Sequence, residues 1–194
     1  ATGSFAPKHR MGPYPTYYTQ PIYPYMYWHG VNISIPSYGE EMLLYKNSAQ
    51  TLPSDGKVYV GITKSKWAVS CLASIKNGAG EGFAITLPDG VTYFFDWIAT
   101  RNALDLADSG LVEDGPVTNV HLLAPLSDVF LYATKAVDRF GNTVTYTYDS
   151  TFPNRIKTIA SNDGAQININ YNATGQVSSV SSGSQTWQYA YTDL

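Results

Sequence analysis

The last sixty residues repeat themselves. The run Val137-Asp138-Arg139-Phe140-Gly141-Asn142-Thr143-Val144-Thr145-Tyr146-Thr147-Tyr148-Asp149, then Asn154-Arg155-Ile156-Lys157-Thr158-Ile159, comes back in degenerate form. Its second copy is Asn162-Asp163-Gly164-Ala165-Gln166-Ile167-Asn168-Ile169-Asn170-Tyr171-Asn172, then Gly175-Gln176-Val177-Ser178-Ser179-Val180. Gly141 to Gly164 and Tyr148 to Tyr171 are each 23 residues, Arg155 to Gln176 is 21, and a third copy begins at Gln185 and reaches Tyr189-Ala190-Tyr191. Repeats of this length read as stacked supersecondary units that cannot bury their apolar faces alone.

The period inside each copy is two. Val144, Tyr146 and Tyr148 alternate with Thr143, Thr145 and Thr147, and Ile167, Ile169 and Tyr171 with Asn168 and Asn170. That is the pattern of a sheet with one apolar, aromatic face and one face of hydroxyls and amides. It predicts strands near 142–148, 155–160, 165–171, 176–181 and 185–191. Upstream, Phe83, Ile85 and Leu87 share one strand face, as do Val91, Tyr93, Phe95 and Trp97. Pro88-Asp89-Gly90 between them predicts a hairpin. Phe94 falls on the opposite face, so both sides of its strand are expected to be covered. A short helix is expected over Thr100–Asp108, and 109–127 reads as a loop with one strand, Val117 to Leu123. Residues 7–36 hold six of the eleven prolines and 14–27 hold six tyrosines. Pro13-Tyr14-Pro15 and Pro21-Ile22-Tyr23-Pro24-Tyr25 therefore read as an extended, polyproline-like arm packed across the body by its rings, with a PxxP-type ligand or a free tail as the alternatives.

Asp138-Arg139-Phe140-Gly141-Asn142, Tyr146-Thr147-Tyr148-Asp149 and Asn154-Arg155-Ile156 resemble the motifs of the YD-repeat, or RHS-repeat, family. The second copy departs from them, with Asn172 for the Asp and Gln176 for the Arg. The resemblance covers about 127–194, and the hairpin from Gly82 to Trp97 is similar to those preceding such repeats; residues 1–77 carry no matching motif. The resemblance implies an all-β fold: an antiparallel β-meander of YD-type repeats preceded by β-hairpins and the Pro/Tyr-rich extended N-terminal arm. The expected divisions are the arm at 1–30, a β-rich region at 31–126 and the meander at 127–194, cut in mid-repeat. The implied function is structural and non-catalytic. The chain would be a shell segment of a large secreted or cell-surface protein of the bacterial polymorphic-toxin or insecticidal-toxin type, its β-sheet wall enclosing a C-terminal cargo. Teneurin-type adhesion proteins share such repeats. The implied partner is the remainder of the same polypeptide, with further repeats and cargo. A glycan- or cell-surface-binding module of such a protein is the alternative. The chain begins at Ala1 rather than Met and stops at Asp193-Leu194 within a repeat, as a piece of a longer protein would.

Composition narrows the partners. Charged residues make up 14% of the chain, against roughly 25% in ordinary soluble domains. A net charge of −3 argues against a nucleic-acid partner, which calls for a basic surface. Cys71 is the only cysteine, so no intrachain disulfide forms; between Val69 and Leu72 it reads as a buried thiol. No apolar run approaches the ~20 residues of a membrane-spanning helix.

The candidate catalytic patterns are weak. Gly78-Ala79-Gly80-Glu81-Gly82 has the look of a phosphate loop, but a strand rather than a helix is expected after it, so it reads as a turn. Ser54-Asp55-Gly56-Lys57 has the Ser-x-x-Lys spacing without the helix or the Lys-Thr-Gly strand that chemistry needs. His9, His29 and His121 lack metal spacing, and no Gly-x-Ser-x-Gly occurs. Asp105, Asp108, Glu113 and Asp114 lack the alternating ligands of a calcium loop and read as a solvated acidic stretch. No enzyme activity, cofactor or metal is expected. Of Trp28, Trp67, Trp97 and Trp187, the first two are the candidate glycan contacts, with Trp28 expected to be the most exposed and Trp97 to be buried. Asn32-Ile33-Ser34 and Asn172-Ala173-Thr174 match the N-glycosylation acceptor pattern.

Overall fold

A computed structural model describes residues 28, 30–45, 52–104 and 125–192 in full, together with the backbone of the strands at 3–5, 8–9, 16–17, 20–22, 106–112 and 118–124. Nineteen strands occur among them. They are β1 (Gly3–Phe5), β2 (Lys8–His9), β3 (Thr16–Tyr17), β4 (Gln20–Ile22), β5 (Asn32–Ile35), β6 (Gly39–Met42), β7 (Leu44–Tyr45), β8 (Gly61–Ile62), β9 (Ala68–Leu72) and β10 (Gly82–Thr86). They continue as β11 (Thr92–Asn102), β12 (Leu106–Val112), β13 (Thr118–Ala124), β14 (Ser127–Val137), β15 (Thr143–Tyr148), β16 (Ile156–Ser161), β17 (Gln166–Tyr171), β18 (Val177–Ser182) and β19 (Gln185–Gln188). The fold is all-β and antiparallel, with no helix among the described residues.

The chain forms two compact units, one from Ala1–Val31 with Arg101–Asp128, the other from Asn32–Thr100 with Val129–Leu194. In the first, β1 pairs with β4 and β2 with β3, so the expected arm is extended but paired with itself. Pro21 lies inside β4, which among the described residues pairs only with β1 and is therefore an edge strand, where proline is tolerated. Pro13-Tyr14-Pro15 and Tyr23-Pro24-Tyr25 lie outside the described residues. The expected helix over Thr100–Asp108 is absent. β11 runs on to Asn102, Ala103 N–H donates to Leu126 O at 3.0 Å, and β12 pairs with β13 in register from Leu106↔Ala124 to Val112↔Thr118. Residues 109–127, read as a loop with one strand, are largely this hairpin. A nine-residue helix is below the length at which helices hold themselves, and the paired strands satisfy the same backbone groups.

The second unit carries an eleven-stranded sheet of order β19-β18-β17-β16-β15-β14-β11-β10-β9-β8-β7. Phe83 pairs with Phe95 and Ile85 with Tyr93 across β10 and β11, as the alternation predicted. Across this part lies the hairpin of β5 and β6, which drops Ile33 and Ile35 into a cluster with Trp67, Val69, Ile85 and Leu87. Tyr38 in its turn donates to Asp89 at 2.5 Å and meets Trp67 edge-on. Cys71 is exposed, not buried. It pairs with Phe83, which is itself only partly buried, so the face loses its cover before the strand reaches the thiol.

The repeat strands fall within two residues of their predicted start points, and all but the last end where predicted within a residue. One turn recurs. Leu87 N–H donates to Val91 O (2.8 Å) and Gly90 N–H to Leu87 O (3.0 Å), and the same pair of bonds closes Asp138–Asn142, Ser161–Ala165 and Asn172–Gln176. In each the fourth residue is a glycine with φ near +90° (Gly90 +92, Gly141 +89, Gly164 +93, Gly175 +88). This is the three-residue hairpin loop whose last position sits in the left-handed region that only glycine enters freely.

Candidate functional site: the tyrosine ladder of the repeat

The residues that define the repeat meet in one arrangement, used three times. Tyr148 at the end of β15 donates its hydroxyl to Ala133 O on β14 at 2.8 Å, Tyr171 at the end of β17 to Ile156 O on β16 at 2.9 Å, and Tyr191 after β19 to Val177 O on β18 at 2.8 Å. The register shifts at Thr147/Tyr148 and again at Asn170/Tyr171, so Tyr148 faces Ile156 and Tyr171 faces Val177. A bulge of this kind re-aims a side chain along the sheet, and here it accompanies the ring that reaches back to the preceding strand.

The remaining motif positions hold the turn beside that ring. Asp149 Oδ1 accepts the N–H groups of Thr151 and Phe152 at 2.8 and 3.0 Å. These two bonds, Phe152 first, hold its carboxyl below the usual carboxylate range. Arg155 lays its guanidinium over the Phe152 ring at 3.9 Å and lies 5.4 Å from the Tyr171 ring. A side chain at Gly175 would run into that guanidinium, so the arginine of one copy rests on the turn of the next. In the second copy Asn172 replaces Asp149, and its Oδ1 accepts Gln176 N–H at 2.9 Å. The loop Asp149–Arg155 becomes Asn172–Gln176, two residues shorter, which is the slip from a spacing of 23 to one of 21. Asp138 supports its own turn by accepting from Asn142 Nδ2 (2.7 Å), Phe140 N–H (2.7 Å) and Asn142 N–H (2.9 Å), and Asn142 leads the groups that depress its pKa.

Tyr148 also belongs to a run of near-parallel rings. Phe130 stacks on Tyr132 (5.9 Å, 9°), Tyr132 on Tyr148 (5.5 Å, 15°) and Tyr148 on Trp97 (5.6 Å, 19°). Burial pushes the Tyr148 hydroxyl pKa well above its ordinary value. Trp97, expected to be buried, is half-buried, with Nε1 donating to Pro153 O at 2.9 Å. A sugar stacks on an exposed ring face, and both faces of Tyr132 and of Tyr148 are taken by neighbouring rings.

The two glycan candidates separate. Trp28 is 56% exposed and Trp67 3%. Trp67 as a glycan contact is therefore corrected: it is a core residue under Ile33 and Ile35, hidden from a sequence reading by its polar neighbours Lys64, Ser65 and Lys66. Trp187 is 48% exposed. Ser54–Lys57 forms a turn, with Lys57 N–H on Asp55 Oδ1 (3.2 Å) and Lys57 Nζ on Asp55 Oδ2 (3.1 Å). Gly78–Gly82 leads into β10 rather than a helix. The side chains of His9, His29, His121, Asp105, Asp108, Glu113 and Asp114 lie outside the described residues. Among those described, no three His, Cys, Asp or Glu side chains gather as a metal site, and no helix is long and apolar enough to cross a membrane. Of the acceptor asparagines, Asn32 is exposed and Asn172 is tied into its turn.

Two features went unread in the sequence. Thr134, almost fully buried, donates to Asp96 Oδ1 and accepts from Lys76 Nζ, both at 2.5 Å, while Lys76 Nζ lies 3.5 Å from Asp96 Oδ2. The hydroxyl is engaged on both sides, so the cluster acts as a tie between β11, β14 and Lys76. On the sheet face away from the core cluster, a shallow groove of about 390 Å³ is lined by Val58, Val60, Leu72, Ala84 and Phe94 among others. Lys135 Nζ sits 4.3 Å over the Phe94 ring, so that strand has neighbours on both faces as expected. Comparison of the chain with protein-family models, with curated proteins and with solved structures gives no match.

Proposed function

We propose that this chain is a structural, non-catalytic segment of wall in a large secreted or cell-surface RHS/YD-repeat protein of the bacterial polymorphic-toxin or insecticidal-toxin type. Its β-sheet would help to enclose a C-terminal cargo, and its partner would be the remainder of the same polypeptide. The observation that carries this reading is the recurrence of one device, a tyrosine hydroxyl on the preceding strand's carbonyl, at Tyr148, Tyr171 and Tyr191. The three tyrosines hold one strand to the next, and Asp138 and Asp149 hold the turns between them. A sheet built by copying one unit grows by addition and owes its shape to the copy, which suits a wall. The deciding experiment is to isolate the natural full-length polypeptide, determine its sequence on either side of this chain and subject it to limited proteolysis. Further copies at spacings of about 21–23 and a C-terminal segment protected until the sheet is broken are expected; flanks without such copies would overturn the reading.

A second reading keeps one observation. The exposed ring of Trp28 suits a glycan- or cell-surface-binding role for the region before the repeats. Binding to an array of neutral glycans, lost in Trp28→Ala and kept in Trp187→Ala, would favour it; no binding to any glycan would remove it.

A further inference from the structure

The glycine-rich stretch between β9 and β10 holds the chain's only Asn-Gly pair, Asn77-Gly78. Its asparagine takes the place of a strand residue. Asn77 Nδ2 donates to Ile98 O at 2.7 Å, and Ile98 N–H donates to Asn77 Oδ1 at 2.8 Å. The register of β10 with β11 ends at Phe83↔Phe95, so beyond that point a side-chain amide continues the ladder along β11. Lys76 N–H fills the position between, on Asp96 O at 2.7 Å, and Lys76 Nζ is tied to Thr134 and Asp96. The glycine is fitted as closely. A Cβ at Gly78 would lie 3.2 Å from Ile75 Cδ1 and 3.4 Å from Ile98 Cγ2, so the residue without a side chain allows the close approach. Docking of this loop on β11 thus uses both members of a pair whose backbone is unusually open to cyclisation.

We propose that Asn77-Gly78 is a latent self-modification site, kept closed by β11 and reactive once the loop leaves it. The reaction is deamidation. The Gly78 backbone nitrogen, with no Cβ on its own residue to shield it, gives up its proton to solvent and attacks Asn77 Cγ. The Cγ–Nδ2 bond breaks, Nδ2 leaves as ammonia, and a succinimide ring remains. Water then opens the ring at either carbonyl to give aspartate or isoaspartate, with no change of oxidation state and no other reactant. In the docked loop this attack disturbs the bonds at both Oδ1 and Nδ2, so the reaction waits for local opening, whose frequency follows its free energy. The change is one-way. Either product carries a carboxylate in place of the amide; it can accept from Ile98 N–H but has no proton to give Ile98 O. Isoaspartate also adds one carbon to the main chain between Lys76 and Gly78. A loop that has opened and reacted therefore cannot dock as before. The inference is independent of the wall reading, since it needs only this loop, β11 and water.

The test incubates the 194-residue chain at mildly alkaline pH and follows it by peptide mass mapping. This reads the exchange of amide for acid at Asn77, and chromatography separates the isoaspartyl product. The native chain, the chain in urea and the free peptide 74–81 are compared. The chain in urea should react at the rate of the peptide, and the native chain should be slower by roughly tenfold or more, as for a locally protected segment. Thr134→Val removes a tie to Lys76 without altering the sequence around Asn77, and should speed the native reaction several-fold. Where that variant fails to fold, urea below the unfolding transition decides, since it should speed the reaction before the chain unfolds. After reaction in urea and return to buffer, the Lys76 amide should exchange with solvent faster than in the unreacted chain. Equal rates in the native chain and the peptide would overturn the proposal, as would an Asn77 that survives in urea for as long as the peptide takes to react. So would a native rate unmoved by both Thr134→Val and low urea, or a reacted chain whose Lys76 amide is as well protected as before.

Discussion

Within Asn32–Thr100 one face of the sheet is roofed by a hairpin, and the residues beneath, Trp67, Val69, Ile85 and Leu87, are almost fully buried. From β15 to β19 the same kind of strand pairing leaves no side chain fully buried, and Ile167 is 37% exposed and Trp187 48%. Pairing alone thus makes a sheet but not a core. The first region is held by apolar burial, which is non-directional and scales with area. The second adds directional devices in its place: a hydroxyl on a carbonyl, a guanidinium on a ring, a glycine in a fixed turn. Repeated units have this need because each has only its neighbours to lean on.

The comparison is tested first where the effect is largest. Trp67→Ala should destabilise the chain by about 3–5 kcal/mol, as expected for a fully buried large aromatic, measured by urea unfolding. In the repeat, Tyr148→Ala should come next, at about 2–4 kcal/mol, since its ring is only partly buried but stacks on two others. A cost below ~0.5 kcal/mol at Tyr148, far under that range, would mean that the ladder holds nothing and would remove the physical basis of the wall reading.

Gly175→Ala isolates the turn. The left-handed backbone alone costs an L-residue roughly 1–2 kcal/mol, and the new methyl also meets Arg155. Adding Arg155→Ala should recover the part of the loss that comes from the clash and no more. A double variant as stable as the wild type would show that the backbone at Gly175 is not strained.

Much of this was legible in the sequence. Alternation at Thr143–Tyr148 and Gln166–Tyr171 predicts both the strands and the faces, since one face is polar throughout, and Pro88-Asp89-Gly90 marks its turn. β14 has no such contrast: Val129-Phe130-Leu131-Tyr132-Ala133 is apolar at every position, so no period appears. Trp67 and Cys71 were misread for one reason: burial there depends on where the roof of Ile33 and Ile35 ends, and that is not a local property. The tyrosine hydroxyl bonds span 14 or 15 residues, and only the spacing of the repeat hinted at them. The sequence marks Tyr148 and Tyr171 as important without saying that it is the hydroxyl, as well as the ring, that is used.

Tyr148→Phe separates these two contributions. It keeps the stack and deletes one hydrogen bond, at about 1 kcal/mol. It should also change the alkaline limb of stability. The folded state raises the Tyr148 pKa through burial, so the folded chain holds this proton more tightly than the unfolded one. That contribution is fully present below the ordinary tyrosine value near 10 and is lost as pH rises through the higher folded value. The phenylalanine variant should therefore lose less stability between neutral pH and pH 11 than the parent. Equal slopes would place the phenol in solvent.

The smallest expected effect is the sharpest check on the difference between the two regions. Trp187 has the same side chain as Trp67 and likewise sits in the large sheet's unit, but its strand is exposed at all four positions, and no roof like that of Ile33 and Ile35 is described over it. It stands opposite Val180 across the strand pair and leaves about half of its surface in water. Because about half of this side chain stays in water, Trp187→Ala should cost roughly 0.5–1 kcal/mol, nearer to an exposed-site substitution than to the loss of a buried aromatic. Measured by urea unfolding, it should fall several-fold below Trp67→Ala. Equal costs for the two would mean that the repeat face is roofed in solution as firmly as the first region. The directional devices of the ladder would then be additions to an ordinary core, not its replacement.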